Sequence, residues 1–203
     1  MKNKGITLIE LLIVIVVLGI IATFAIVSVP KILDNIKIAA TENELHIIED
    51  ASGYYTLDVG ERPYGTLSGT GTCETWNQDS ENTFILGTRG GSPIEGWSGP
   101  YMSKWAEETP MGGCYVYRSY KVGSQGWARS NWLRYTDNTP IGNVAPLDKD
   151  IELVMIRFYP LNSVDAIALS REVATFLLRN IDDTQIYYVN NQAVIGYYIL
   201  PRD

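Results

Sequence analysis

One histidine, two cysteines and a shortage of basic side chains limit this chain before any motif is read. A lone His46 cannot build a histidine-rich metal site. It stands among charged residues beside Glu42 and Glu49, the setting of a solvated helix side chain rather than of a base. There is no GxSxG, no HExxH and no glycine-rich phosphate loop after a strand, so the usual signatures of serine hydrolases, zinc proteases and nucleotide-binding enzymes are missing. Sixteen Lys and Arg against 23 Asp and Glu give a formal net charge of -7, a field that opposes nucleic-acid phosphates. Internal repeats and low-complexity tracts are absent as well.

Cys73 and Cys114 have no metal-ligand spacing. In an oxidising exterior the pair reads as one disulfide, and in a reducing compartment as two buried thiols. Closing a loop of about 40 residues stabilises a fold by ~4 kcal/mol in the chain-entropy model.

What the chain does have is concentrated at its start. After the short basic stretch Met1 to Gly5 comes an apolar run, and from Leu11 to Val29 no side chain is ionisable. About 20 such residues in a helix rise ~30 Å, the thickness of a bilayer's hydrocarbon core. Glu10 is the exception at the head of this run. A carboxylate within a membrane helix costs roughly 2.5 to 3.5 kcal/mol at the centre and less at the interface, so it calls for a partner. A secretory signal peptide would not carry it there, nor continue apolar past Ala25.

Lys4, Gly5, Ile6, Thr7, Leu8, Ile9, Glu10, Leu11 and Leu12, with the apolar run through Gly19, resemble the class III leader of type IV pilins and type II secretion pseudopilins. The resemblance implies cleavage between Gly5 and Ile6 by a prepilin peptidase and N-methylation of the new terminus. Glu10 would then be the assembly residue, pairing with the terminal amine of a neighbouring subunit in a homo-oligomeric helical filament. It also implies storage in the cytoplasmic membrane as a single-pass protein, an extracellular or periplasmic filament, and an assembly ATPase and platform protein as partners. Two positions depart from the family pattern: Ile6 stands where Phe or Met is usual, and Pro30 lies three residues beyond the usual helix-kinking proline, at Val27 here.

Beyond Pro30, apolar residues Ile32, Leu33, Ile36, Ala40, Ile47, Ile48, Ala51 and Tyr55 recur at helical spacing among Asp34, Lys37, Glu42, Glu44, Glu49 and Asp50. The pattern predicts one long helix ending between Gly53 and Gly60. The chain then divides into a leader (1–5), an apolar half of the helix (6–30), an amphipathic half (31–57) and a globular head (58–203).

Gly60 to Gly113 is rich in Gly, Ser, Thr, Pro and Asn, and reads as long loops with a short strand near Thr83 to Leu86. Within it, Gly96, Trp97, Gly99, Pro100, Tyr101, Met102, Trp105, Pro110, Gly112, Gly113, Tyr115 and Tyr117 resemble the GPYL and PxGxxYxY pattern of major type II pseudopilins. Strands are predicted at Tyr115 to Val122 and Ile151 to Tyr159, and a helix capped by Ser170 carrying Val173, Ala174, Leu177, Leu178 and Ile181. A hairpin is predicted about Asn190 and Asn191. The tyrosine pairs 54/55, 187/188 and 197/198 should point one inward and one outward. The fold class is α+β, a long N-terminal helical spine packed on an antiparallel sheet in a type IV pilin-like head.

No cofactor is expected. Asp182 with Asp183, and Asp148 with Asp150, could offer oxygen ligands to calcium, as C-terminal loops of some pseudopilins do, against the alternative of solvated acidic turns. The functional reading is a filament subunit with no catalytic residues. Alternatives are a pseudopilin of a type II secretion system and a membrane-anchored binding protein or enzyme that never polymerises.

Overall fold

The structure, a computed structural model, describes residues 7–63, 83–89, 91–105, 108–120, 122, 126–145 and 147–200, without the side chains of 23–31 and 126–128. The sequence begins its regular structure with one helix, α1 (Leu8–Val59), of 52 residues. The helix is continuous through Pro30, whose ring removes one backbone donor from the ladder. It ends where Gly60 takes φ 79° and its N–H returns 3.0 Å to Thr56 O, a conformation that glycine adopts without a Cβ penalty.

The chain forms two compact units, Met1–Ala39 and Ala40–Asp203. In the second unit, α1 buries Thr41, Leu45, Ile48, Ser52 and Tyr55, a stripe at the i, i+3, i+4 spacing of one helix face. After α1, two short strands, β1 (Thr88–Arg89) and β2 (Ser92–Pro93), pair antiparallel. The main sheet comprises β3 (Cys114–Tyr120), β4 (Trp132–Arg134), β5 (Ile151–Arg157), β6 (Ile186–Val189) and β7 (Val194–Ile199). Its order is β3-β5-β7-β6-β4, antiparallel throughout. A short helix, α2 (Gly126–Asn131), precedes β4, and α3 (Val164–Leu177) lies between β5 and β6. This is an α+β fold.

Both faces of the sheet are covered, which explains why β7 and most of β5 are buried at consecutive positions instead of alternating. One face packs Tyr117, Val154, Ile156 and Tyr197 with Leu45, Ile48 and Ala51 of α1 and Val173, Ala174 and Leu177 of α3. The other packs Val116, Leu153, Met155, Tyr187 and Tyr198 with Trp132, Ile141 and Ala145. Gly196 is required in β7 because a Cβ there would stand 2.6 Å from Cζ3 of Trp132.

Three local expectations are corrected. Thr83 to Leu86 is a turn rather than a strand: Phe84 is only 3% exposed, and its carbonyl accepts Tyr101 N at 2.8 Å, so the segment curls to seat the ring. Ser170 is not an N-cap. It is fully buried within α3, its hydroxyl donating 2.8 Å to Ile167 O, and Ser163 takes the N-cap position. Tyr197 and Tyr198 are both buried, because each sheet face has a core of its own, whereas Tyr55 is buried with Tyr54 exposed as expected. The hairpin appears as β6 and β7, with Asn191 at φ 56°.

Candidate functional site

Glu10 sits in the first turn of α1. Thr7 N–H donates to its Oε2 at 2.7 Å and the Thr7 hydroxyl to the same oxygen at 2.8 Å, while Glu10 N–H lies 3.4 Å from Thr7 Oγ1. This is a reciprocal capping box, in which the carboxylate satisfies donors that a helix start leaves orphaned and sits favourably in the positive end of the macrodipole. Thr7 is the functional residue that the reading of the sequence passed over. Its signal was present as T-L-I-E, the S/T-x-x-E spacing ahead of an apolar run.

From Leu8 to Ile21 every large aliphatic side chain of α1 is 47% exposed or more. Full burial of each such side chain would contribute roughly 1.5 to 3 kcal/mol, so this surface is built for a non-aqueous neighbour. Among the described residues, no helix is long and apolar enough to cross a membrane. Gly5, Ile6 and Cys73 lie outside the described residues.

In the second unit the C-terminal part of α1 is locked to the sheet by a buried carboxylate. Glu152 of β5 is completely buried and accepts hydrogen bonds from the Ser52 hydroxyl of α1 and the Tyr117 hydroxyl of β3. Arg62, just past α1, forms an ion pair with it. One residue on, Pro63 O accepts from the Ser119 hydroxyl at 3.0 Å. Burial pushes the Tyr117 phenol well above its ordinary acidity constant, so it remains a donor. A buried charge tolerates such a site only with several donors aimed at it, and Glu152 has them from three chain segments.

The Gly96 to Tyr101 segment closes over the same helix end. Asp58 of α1 accepts from the Ser98 and Tyr101 hydroxyls, the latter at 2.9 Å, and Tyr101 stacks edge-on to Tyr55 and Trp97. Gly96, at φ 78°, brings its backbone so near that a Cβ would lie 2.5 Å from Asp58 O. Gly96, Trp97 and Tyr101, singled out in the sequence, therefore position a loop against α1.

His46 is 54% exposed, with Nδ1 3.2 Å from Glu49 Oε2. Asp182 caps the short 3₁₀ turn Asp183–Gln185, its Oδ1 accepting from Thr184 N and the Thr184 hydroxyl, both at 2.8 Å. Those bonds hold the Asp182 carboxyl below its usual range. Asp150 Oδ1 accepts Val122 N at 2.7 Å. Among the described residues no three His, Cys, Asp or Glu side chains gather in a metal-binding group. Cys114 opens β3, is 1% exposed and is disulfide-bonded.

Among known families, the model described as the prokaryotic N-terminal methylation motif matches residues 1–26. No curated protein and no solved structure matches the chain. The matched segment contains Gly5, Thr7 and Glu10 together with most of the exposed apolar helix. The matched segment is thus similar to the leader of type IV pilin-like precursors, proteins that such a leader marks for membrane anchoring and for cutting by a prepilin peptidase.

Proposed function

Taking that leader as the premise, we propose that this chain is a structural subunit of an extracytoplasmic type IV filament. It is inserted in the cytoplasmic membrane, cut between Gly5 and Ile6, methylated at Ile6, and assembled through α1. The observation that carries the reading is the overlap of the methylation motif, matched at residues 1–26, with the apolar surface that α1 exposes from Leu8 to Ile21. Lipid and a bundle of like helices are nearly equivalent for aliphatic side chains, so apolar burial alone does not drive extraction from the membrane. The Glu10 carboxylate supplies the difference, because beside the methylated amine of the next subunit it gains a counter-ion that lipid lacks. An assembly ATPase and a platform protein are the partners this route requires. Calcium at Asp182 and Asp183 is not needed by it.

A second reading, a pseudopilin of a type II secretion system, is favoured by the Gly99-Pro100-Tyr101 segment and its seat on Asp58. The genes beside this one, pilus motor against secretion components, separate the two.

The test is mass spectrometry of the mature N-terminus with electron microscopy of sheared cell surfaces. Ile6 as the methylated first residue, and fibres containing this subunit, are the expected results. Gly5→Leu should leave uncut precursor in the membrane. A mature chain beginning near Ile26 would instead mean an ordinary signal peptide and end the proposal.

A further inference from the structure

Two pockets flank the buried stripe of α1 within the second unit. One, of 370 Å³, is lined by Glu49, Ser52, Thr56 and Leu57 of α1 with Arg62, Glu152 and Leu200 among its other walls. The other, of 300 Å³, is lined by Glu44, Ile47 and Ile48 of α1 with Tyr101, Met102 and Lys104. At ~100° per residue the α1 residues of the two pockets are centred roughly 150° apart around the helix, with Leu45 and Tyr55 of the buried stripe between them. Along the axis they are offset by about seven residues, or ~11 Å.

The first pocket carries Glu49, Glu152 and Arg62, and the second Glu44 and Lys104. In the first pocket Arg62 is committed to Glu152, which leaves Glu49, whose side chain is 16% exposed. Glu49 Oε2 accepts the Tyr197 hydroxyl at 2.8 Å and faces His46 Nδ1. Its partners among the described residues are a phenol and an imidazole, neither a fixed cation. Beside it, Leu57 is 79% and Leu200 44% exposed, an apolar wall of the kind a lysine stem covers while its ammonium reaches a carboxylate. On the other flank Lys104 is exposed at the pocket rim.

Resting on the filament reading above, we infer that these flanks form a heterologous contact between copies of this chain, with Lys104 of one copy entering the Glu49 pocket of the next. A contact between two different patches of one molecule cannot close a two-fold dimer. It propagates into a ring where the rotation closes and into an open helix where it does not, and the filament reading requires the open helix. The pair thereby sets the register of successive heads, a task the apolar part of α1 performs poorly because one aliphatic surface slides over another at little cost.

Charge exchange in the full-length protein tests this. K104E and E49K each place like charges in the contact and should lower sheared filament mass by about ten-fold or more. Cleavage at Gly5 and the melting temperature of the detergent-solubilised subunit should stay unchanged for K104E, and E49K with K104E in one chain should restore filaments. Because Glu49 also supports Tyr197, the second arm is a chain carrying E49C and K104C, which on oxidation should give ladders of covalently linked subunits from filaments. Normal filament mass from K104E, or no ladder from the double cysteine chain, overturns the contact while leaving the filament reading in place. Absence of any fibre from the unmodified protein overturns both.

Discussion

At the scale of single residues, Glu10 carries a capping role in α1 and, in the proposed filament, a pairing role that substitution can separate from it. As a capping-box member it stabilises its own helix start, and glutamine at the same position keeps that hydrogen bonding while losing the charge. Glu10→Ala should be cleaved and accumulate in the membrane with few or no fibres. Glu10→Gln should behave in the same way, since the charge is what the neighbouring amine needs. Normal fibre counts from the glutamine variant would show that capping, not pairing, is what this carboxylate contributes. Asp137 shows the same chemistry on the head: hydrogen bonds from the Arg134 guanidinium and Thr139 hold its carboxyl well below the usual range. A folded value below the unfolded one means stability present above about pH 4 and lost as pH falls through the folded value. Asp137→Asn should therefore flatten the acid limb of a melting-temperature profile at low ionic strength and leave the neutral region little changed.

At the scale of elements, the junctions are more exacting than the helices and strands they join. Glu152 links α1, β3 and the segment after α1, so removing it leaves Arg62 without its counter-ion and Ser52 and Tyr117 without an acceptor. Glu152→Ala should cost about 3 to 5 kcal/mol, read by chemical denaturation. Gly196→Ala forces the Trp132 ring off β7 and should cost roughly 1 to 3 kcal/mol on the same assay, whereas Ala at an open position such as Gly19 meets nothing within 4 Å. An unchanged Gly196→Ala protein would mean that the ring relocates freely. Sequence reasoning found α1 and the hairpin because long periodicity and an Asn-Asn turn are local signals. It missed α2 and β4, six and three residues long, because such short elements exist only by packing against neighbours.

At the scale of the whole molecule, the stretch between α1 and β3, rich in Gly, Ser and Thr, is where covalent restraint is most useful. Cys114 is disulfide-bonded at the start of β3, and we expect Cys73 to be its partner. Non-reducing peptide mapping should give one linked species, and Cys73→Ser should lower stability by roughly 2 to 5 kcal/mol. Full alkylation of both thiols in the untreated folded protein would contradict the pairing. The acidic balance of the chain belongs to this scale too. A subunit that loses Lys2 and Lys4 with its leader becomes two units more negative than its formal -7, so packed heads repel unless specific cations are paired.

The sequence by itself determined the N-terminal third. The methylation motif, a carboxylate five residues after Gly5 and the apolar run behind it are properties of consecutive residues, and helix α1 follows from periodicity that no tertiary contact has to supply. It determined the strands of the hairpin as well, since asparagine tolerates the positive φ that the turn demands. Only the tertiary structure decided that Glu152, buried in β5, would be answered by Ser52, Tyr117 and Arg62, residues that lie 100, 35 and 90 positions away in the chain. Only it decided that Ser170 would be core rather than cap, and that Tyr198 would face a second core rather than water. The reason is the same in each case: burial and hydrogen-bond partnership depend on which distant surface covers a residue, and local pattern carries no record of that surface.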